Sequence, residues 1–195
     1  SSTSADLDTT ASTVTVGTID ISADTGTSDS DFNTNTAAQT LTAVLSAALT
    51  SGDILYVSVD NGANYVDKTS DVSGTALSTS ITLSGSSNIK IKIQDDVGND
   101  NTATTTAYIL DTTAPTITYT GAIEISADTG TSDSDFNTKT AAQTLTATLS
   151  AAIASDDILQ VSVNAGSSWA NDDHDTDDGT ALSTAITLSG TSSIH

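Results

Sequence analysis

A run of fourteen residues, Ile21-Ser-Ala-Asp-Thr-Gly-Thr-Ser-Asp-Ser-Asp-Phe-Asn-Thr34, returns letter for letter as Ile125 to Thr138, 104 positions later. A chain that repeats itself at this distance has to fold the same way twice. The spacing is too long for the turn of a solenoid, which takes roughly 20–50 residues. It matches the size of a whole small domain, on the order of 100 residues. The chain therefore reads as part of a tandem array.

Differences between the copies show which residues face a core. Leu41, Ala43 and Leu45 return as Leu145, Ala147 and Leu149, whereas Val44 between them becomes Thr148. Position 44 therefore faces water. In the next apolar run Leu55, Val57 and Val59 form the inward phase, because Tyr56 becomes Gln160. The same period of two places Leu77, Ile81 and Leu83 on one face, and Ile89, Ile91 and Ile93 opposite Lys90 and Lys92. A last strand lies within Thr104 to Leu110, with its inward phase open. The first strand contains a break: the second copy carries one more residue before Gly121 than the first has before Gly17. A one-residue slip reverses every later side chain unless pairing is interrupted there.

Turn residues separate these runs, among them Asn61-Gly62, Ser51-Gly52-Asp53, Ser84-Gly85-Ser86 and Gly98-Asn99. Seven alternating strands in about a hundred residues predict an all-β fold, an immunoglobulin-like antiparallel β-sandwich in each copy. Pro115, the sole proline, stiffens the junction Asp111-Thr-Thr-Ala-Pro-Thr116. Two beads are thus expected end to end. Residues 1–11 close a preceding repeat or linker, 12–111 form repeat 1, 112–116 the linker and 117–195 repeat 2. His195 aligns with Lys90, so repeat 2 is expected to lack its last two strands, as in a length cut from a longer array.

Charge narrows the function. Twenty-five acidic residues face four lysines and no arginine, a formal charge of −21. Such a surface offers no footprint for the phosphates of nucleic acid, and no long apolar run suggests direct membrane insertion. Cysteine and methionine are absent. With no initiator Met and no signal-peptide core, the chain is expected to be a mature product or an excised fragment. Nor does it look like an enzyme. His174 and His195 have no counterparts in the other copy, Glu124 stands alone, and no hydroxyl has a paired base. The run Asn171-Asp-Asp-His-Asp-Thr-Asp-Asp-Gly179 is read as a variable solvated loop, and Trp169, in the place of Tyr65, as a packing residue at the sandwich edge.

Four motifs in order carry a resemblance: Asp24-Thr-Gly-Thr-Ser-Asp-Ser-Asp-Phe32, Val57-Ser-Val-Asp-Asn-Gly62, Asp96-Val-Gly-Asn99 and the Asp-Thr-Thr-Ala-Pro linker. Together they resemble the bacterial immunoglobulin-like extender repeats of large RTX-type surface adhesins, over essentially the whole chain. The resemblance implies a calcium-dependent spacer that holds a binding tip away from the cell, in an extracellular, cell-surface or biofilm setting. Its neighbours would be further repeats of the same chain.

The residues make their own case for Ca2+. In a seven-strand sandwich Asp24, Asp29, Asp31 and Asp60 fall at the pole where the chain leaves through Asp111. Asp71, Asp95, Asp96 and Asp100 fall at the other, beside Asp8. Asp128, Asp133 and Asp135 repeat the first group in the second copy. Calcium takes six to eight oxygens, largely from such loops, and would relieve the repulsion among them. The candidate metal ligands are accordingly Asp24, Asp29, Asp31, Asp60, Asp96, Asp111, Asp128, Asp133 and Asp135. An alternative role is a structural subunit of an extracellular filament or surface layer that self-associates into fibres. There a neighbour's Ser1 to Leu7, which aligns with Thr104 to Leu110, would be donated to the unfinished repeat.

Overall fold

Alternating β-branched and polar residues leave little choice but extended pairing. The computed structural model contains strands and one 3-10 turn (Thr69–Asp71), and is all-β. It describes residues 7–26, 28–154, 157–172 and 179–195. The chain divides into two units, Ser1–Thr113 and Ala114–His195, with the division inside the segment expected to be a linker. Among the described residues no helix is long and apolar enough to cross a membrane.

Unit 1 holds β1 (Val16–Ile21), β2 (Asn33–Thr34), β3 (Ala38–Leu45), β4 (Ile54–Ser58), β5 (Val66–Asp67), β6 (Val72–Ser73), β7 (Ala76–Thr82), β8 (Ser87–Gln94) and β9 (Thr104–Leu110). They form two sheets, β1-β3-β7-β6 and β2-β9-β8-β4-β5. The core lies between them. Leu41, Leu55, Leu77, Ile89, Ile91 and Ile93 are at most 1% exposed, whereas Val44 is 60% exposed. Burying one such aliphatic side chain is worth about 1.5–3 kcal/mol. The best surface ion pair, Lys92 to Asp100 at 2.6 Å, belongs to a class that contributes about 0–1 kcal/mol. The core decides stability.

Two departures from the expected seven strands have local causes. The first strand is split: β1 pairs antiparallel with β3, then the chain crosses over so that β2 pairs parallel with β9. The break expected near Gly17 is a bulge within β1. Val16 faces Leu45 and Asp20 faces Thr42, so four steps along β1 oppose three along β3. In unit 2, Tyr119 faces Leu149 and Glu124 faces Thr146, so five steps oppose three. The extra residue of the second copy is absorbed there, and the inward phase downstream is kept. The phase of β9 is set by Tyr108, which is 2% exposed.

Unit 2 contains β10 (Glu124–Ile125), β11 (Ala142–Thr148), β12 (Gln160–Val161), β13 (Ala170–Asn171) and β14 (Ala181–Thr187), in sheets β10-β11-β14 and β12-β13. The β11–β14 register, Ala142 opposite Thr187, reproduces that of β3–β7, Ala38 opposite Thr82. Leu145, Leu149 and Leu182 are buried as Leu41, Leu45 and Leu77 are.

Candidate functional site

The repeated acidic run forms the loop between β1 and β2, and a buried glutamine braces it. Gln39 accepts from the Ser22 hydroxyl at 3.1 Å and the Ala23 amide at 2.8 Å. Its Nε2 donates to the carbonyls of Ala23 (2.9 Å) and Thr36 (2.7 Å) and to Thr34 Oγ1 (3.2 Å). In unit 2 Gln143 does the same with Ser126, Ala127, Thr138 and Thr140. A buried amide side chain keeps its place only when its donors and acceptors are satisfied, and this one converts that requirement into a fixed loop entrance.

Inside the loop, Phe32 adopts a φ of 62° and Phe136 one of 60°. A bulky residue in that region costs on the order of 1–3 kcal/mol, so the surroundings must hold it. The Phe32 amide donates to Asp24 Oδ2 at 2.8 Å, and the Phe136 amide to Asp128 Oδ2 at 2.8 Å. The other oxygen of each carboxyl, Asp24 Oδ1 and Asp128 Oδ1, is buried without any hydrogen-bond partner. Leaving a buried acceptor unpaired costs about 1–3 kcal/mol, and more when it is charged. The same orphan recurs in both copies.

A second carboxyl stands close by. Asp135 is held below its ordinary pKa first by the Asn137 backbone amide and then by the Asn137 side chain, with the Asp128 carboxyl also among its hydrogen-bond partners. Asp31 is gripped alike in unit 1, accepting from the Asn33 amide at 3.0 Å and Asn33 Nδ2 at 3.1 Å. Two carboxylates in contact need a proton or a cation between them. The donors here are carboxylate, hydroxyl and carbonyl oxygens, with the Ser28 and Ser30 hydroxyls 3.3 Å apart. That set suits Ca2+, a hard ion satisfied by loop oxygens. Among the described residues no three acidic or histidine side chains form a metal-binding group. A cation on Asp24 and Asp31, or on Asp128 and Asp135, would complete its shell with hydroxyl, carbonyl and water oxygens.

The remaining candidates lie elsewhere. Asp29 and Asp133 are exposed on the same loops. Asp60 ties its own turn: Oδ1 accepts from the Ser58 hydroxyl at 2.6 Å and the Asn64 amide at 2.9 Å, and Oδ2 from Asn64 Nδ2 at 2.6 Å. Its pKa falls to about 2, chiefly through the Ser58 hydroxyl. Asn164, the equivalent residue in unit 2, accepts from Ser162 and Ser168 in the same way without a charge, so this turn does not need a carboxylate. Asp111 accepts from the Thr113 amide at 2.8 Å, and its own amide donates to Thr34 at the end of the acidic loop. Asp96 packs over Gly52, whose φ is +101° and where an added Cβ would stand 2.6 Å from the Asp96 Cβ. Asp71 accepts from Thr79, which faces Leu41 midway along β3 rather than at a pole. Most of the Asn171–Gly179 run, His174 included, lies outside the described residues, as does Ser1 to Asp6 of the segment considered for donation.

Hydrophobic alternation passes over Gln39 and Asp53. Asp53 is 7% exposed and accepts from the Ser12 hydroxyl, the Thr50 amide and the Thr50 hydroxyl. The available signal for Gln39 is the repetition of Ser22, Ala23, Thr34 and Gln39 as Ser126, Ala127, Thr138 and Gln143. No protein-family model matches this chain, and no curated protein or solved structure matches it.

Proposed function

We propose that the chain is a non-catalytic, calcium-stabilised extender module of a bacterial cell-surface adhesin, built from tandem immunoglobulin-like repeats that space a binding tip from the cell. The observation that carries this reading is the buried, unpaired carboxylate oxygen of Asp24, repeated at Asp128 in the second copy. The charge of −21 gives each loop a strong reason to bind cations. The two-sheet sandwich of unit 1 is consistent with the immunoglobulin-like class, and the chain has no pairing of nucleophile with base that would argue for catalysis.

Extracellular calcium modules bind with dissociation constants of about 0.1–1 mM. At about 10 mM Ca2+ each site then adds on the order of 1.4–2.7 kcal/mol, a substantial part of a small domain's roughly 5–15 kcal/mol. Calorimetric melting should therefore show a higher Tm in millimolar Ca2+ than in EDTA, and less effect from Mg2+, which dehydrates reluctantly. Superimposable melts in Ca2+ and EDTA would remove the basis of the proposal. A second reading, the self-associating subunit of an extracellular filament or surface layer, draws on an apolar trench in unit 2.

A further inference from the structure

The two units share a core but not its cover. In unit 1, β8 and β9 close the sandwich over Leu41, Leu55 and Val57, all buried. Among the described residues of unit 2 no strand occupies the place of β9, and only the first residues of a β8 equivalent are present. Two cavities mark the site. One, of about 420 Å3, is lined mainly by apolar side chains, including Ile117, Leu145, Leu159, Val161, Leu182 and Ile194. The other, of about 570 Å3, reaches Phe136 and Leu188. Phe136 is 41% exposed where Phe32 is 8%, and Leu159 and Val161 are part-exposed where Leu55 and Val57 are 0% and 3%.

The trench also has a register. Ser162 and His195 exchange two backbone hydrogen bonds, each 2.8 Å, and the Ala165 amide donates to Ser193 at 3.0 Å. These reproduce the Ser58–Lys90 pairing and the Asn61 amide bond to Asn88 in unit 1. In unit 1 the next inward residues, Ile91 and Ile93, face Val57 and Leu55. Tyr108 then returns along β9 to donate to the Val59 carbonyl, and Ile109–Leu110 runs parallel to Asn33–Thr34. Val161, Leu159, Val163 and Asn137–Thr138 are the unit 2 equivalents of these partners.

We propose that this trench is a docking site for a β-hairpin supplied by a separate polypeptide with the pattern of this chain's own residues 91–111. Its first strand brings two β-branched residues onto Val161 and Leu159. Its second strand brings a tyrosine whose hydroxyl reaches the Val163 carbonyl, and then pairs parallel with Asn137–Thr138 to cover Phe136. Pairing on an open sheet edge supplies the main-chain hydrogen bonds, and the alternate side chains supply specificity. The inference does not rest on calcium, and its test is run in EDTA so that the two readings fail separately.

The probe is a synthetic peptide, Ile91 to Asp111, titrated into the full chain. Trp169, the sole tryptophan, has its ring centroid 6.4 Å from that of His195 and reports from beside the trench. The expected result is saturable one-to-one binding with a change in Trp169 fluorescence and slowed amide exchange from Leu159 to Val163. A peptide carrying Ile91→Ser, Ile93→Ser and Tyr108→Ser should bind about tenfold more weakly or worse, since it lacks the buried anchors. These changes lie in the peptide, so the folding of the chain is not at stake. Equal binding of the two peptides, or no saturation at millimolar peptide, overturns the proposal. Self-association of the chain that the peptide cannot displace also overturns it, and assigns the trench to a second copy.

Discussion

The Tyr108 hydroxyl donates to the Val59 carbonyl at 2.8 Å, tying β9 to the end of β4 although β8 runs between them. The same oxygen receives the Ser84 amide at 3.3 Å. A buried phenol with both its donor and acceptor functions used is a fixed point in the sheet, because each partner would otherwise be left without a hydrogen bond.

Tyr108→Phe keeps the ring and strands both partners. It should destabilise unit 1 by about 1–3 kcal/mol, read as a lower urea midpoint with an unchanged slope. Tyr108→Ala, which also opens a cavity, should cost more, about 3–5 kcal/mol.

Asp24→Asn and Asp128→Asn separate the charge of the loop from its hydrogen bonding. The asparagine oxygen can still accept from the Phe32 or Phe136 amide, so in EDTA the double variant should be as stable as the parent or more so. In millimolar Ca2+ the order should invert, because the parent alone gains the cation. Thermal melts of both proteins in both buffers check the crossing.

Acid should unfold the protein through carboxylates that are held ionised. Asp60 sits at about 2 against an ordinary 3.8, chiefly through the Ser58 hydroxyl. Asp67 is lowered by the Thr69 amide, Asp95 by the Asn99 side chain and Asp135 by the Asn137 amide. A folded-state pKa below the unfolded one contributes stability that is complete above the unfolded pKa and is lost as pH falls through the folded one. The loss therefore falls between about pH 4 and pH 2. Urea midpoints measured across that window should drop, and Asp60→Asn should make the drop shallower.

Gly52→Ala tests the approach of Asp96. A side chain at φ +101° is strained, and its Cβ would stand 2.6 Å from that of Asp96. The expected cost is about 1–3 kcal/mol, seen as a lower melting temperature for unit 1.

The core could be read from the sequence because hydrophobic residues carry their own orientation. Val44 against Thr148 and Tyr56 against Gln160 identified outward positions, and the structure leaves Val44 60% exposed. The break at Gly17 was legible because an insertion must be absorbed somewhere. Inward-facing polar groups were not legible in this way. Gln39, Thr34 and Thr79 are 2–4% exposed, yet composition places such residues on the surface. Tyr108 was hidden for a related reason: Thr104 and Thr106 share its phase, so the strand shows no apolar alternation. For the acidic loop, the sequence identified the right segment but not which carboxylates do what. Asp60 and Asp24 look alike in a string of letters, and differ only in whether both oxygens find donors.

The parallel pairing of β2 with β9 bears on how unit 1 carries load. Tension on its two ends pulls β2 back toward the amino terminus and β9 toward the carboxyl terminus. The strands therefore slide along each other rather than peel apart. The bonds from Ile109 to Phe32 and from Asp111 to Thr34 lie across that motion and are strained together. A zipper gives way one tooth at a time, whereas this seam has to yield all at once.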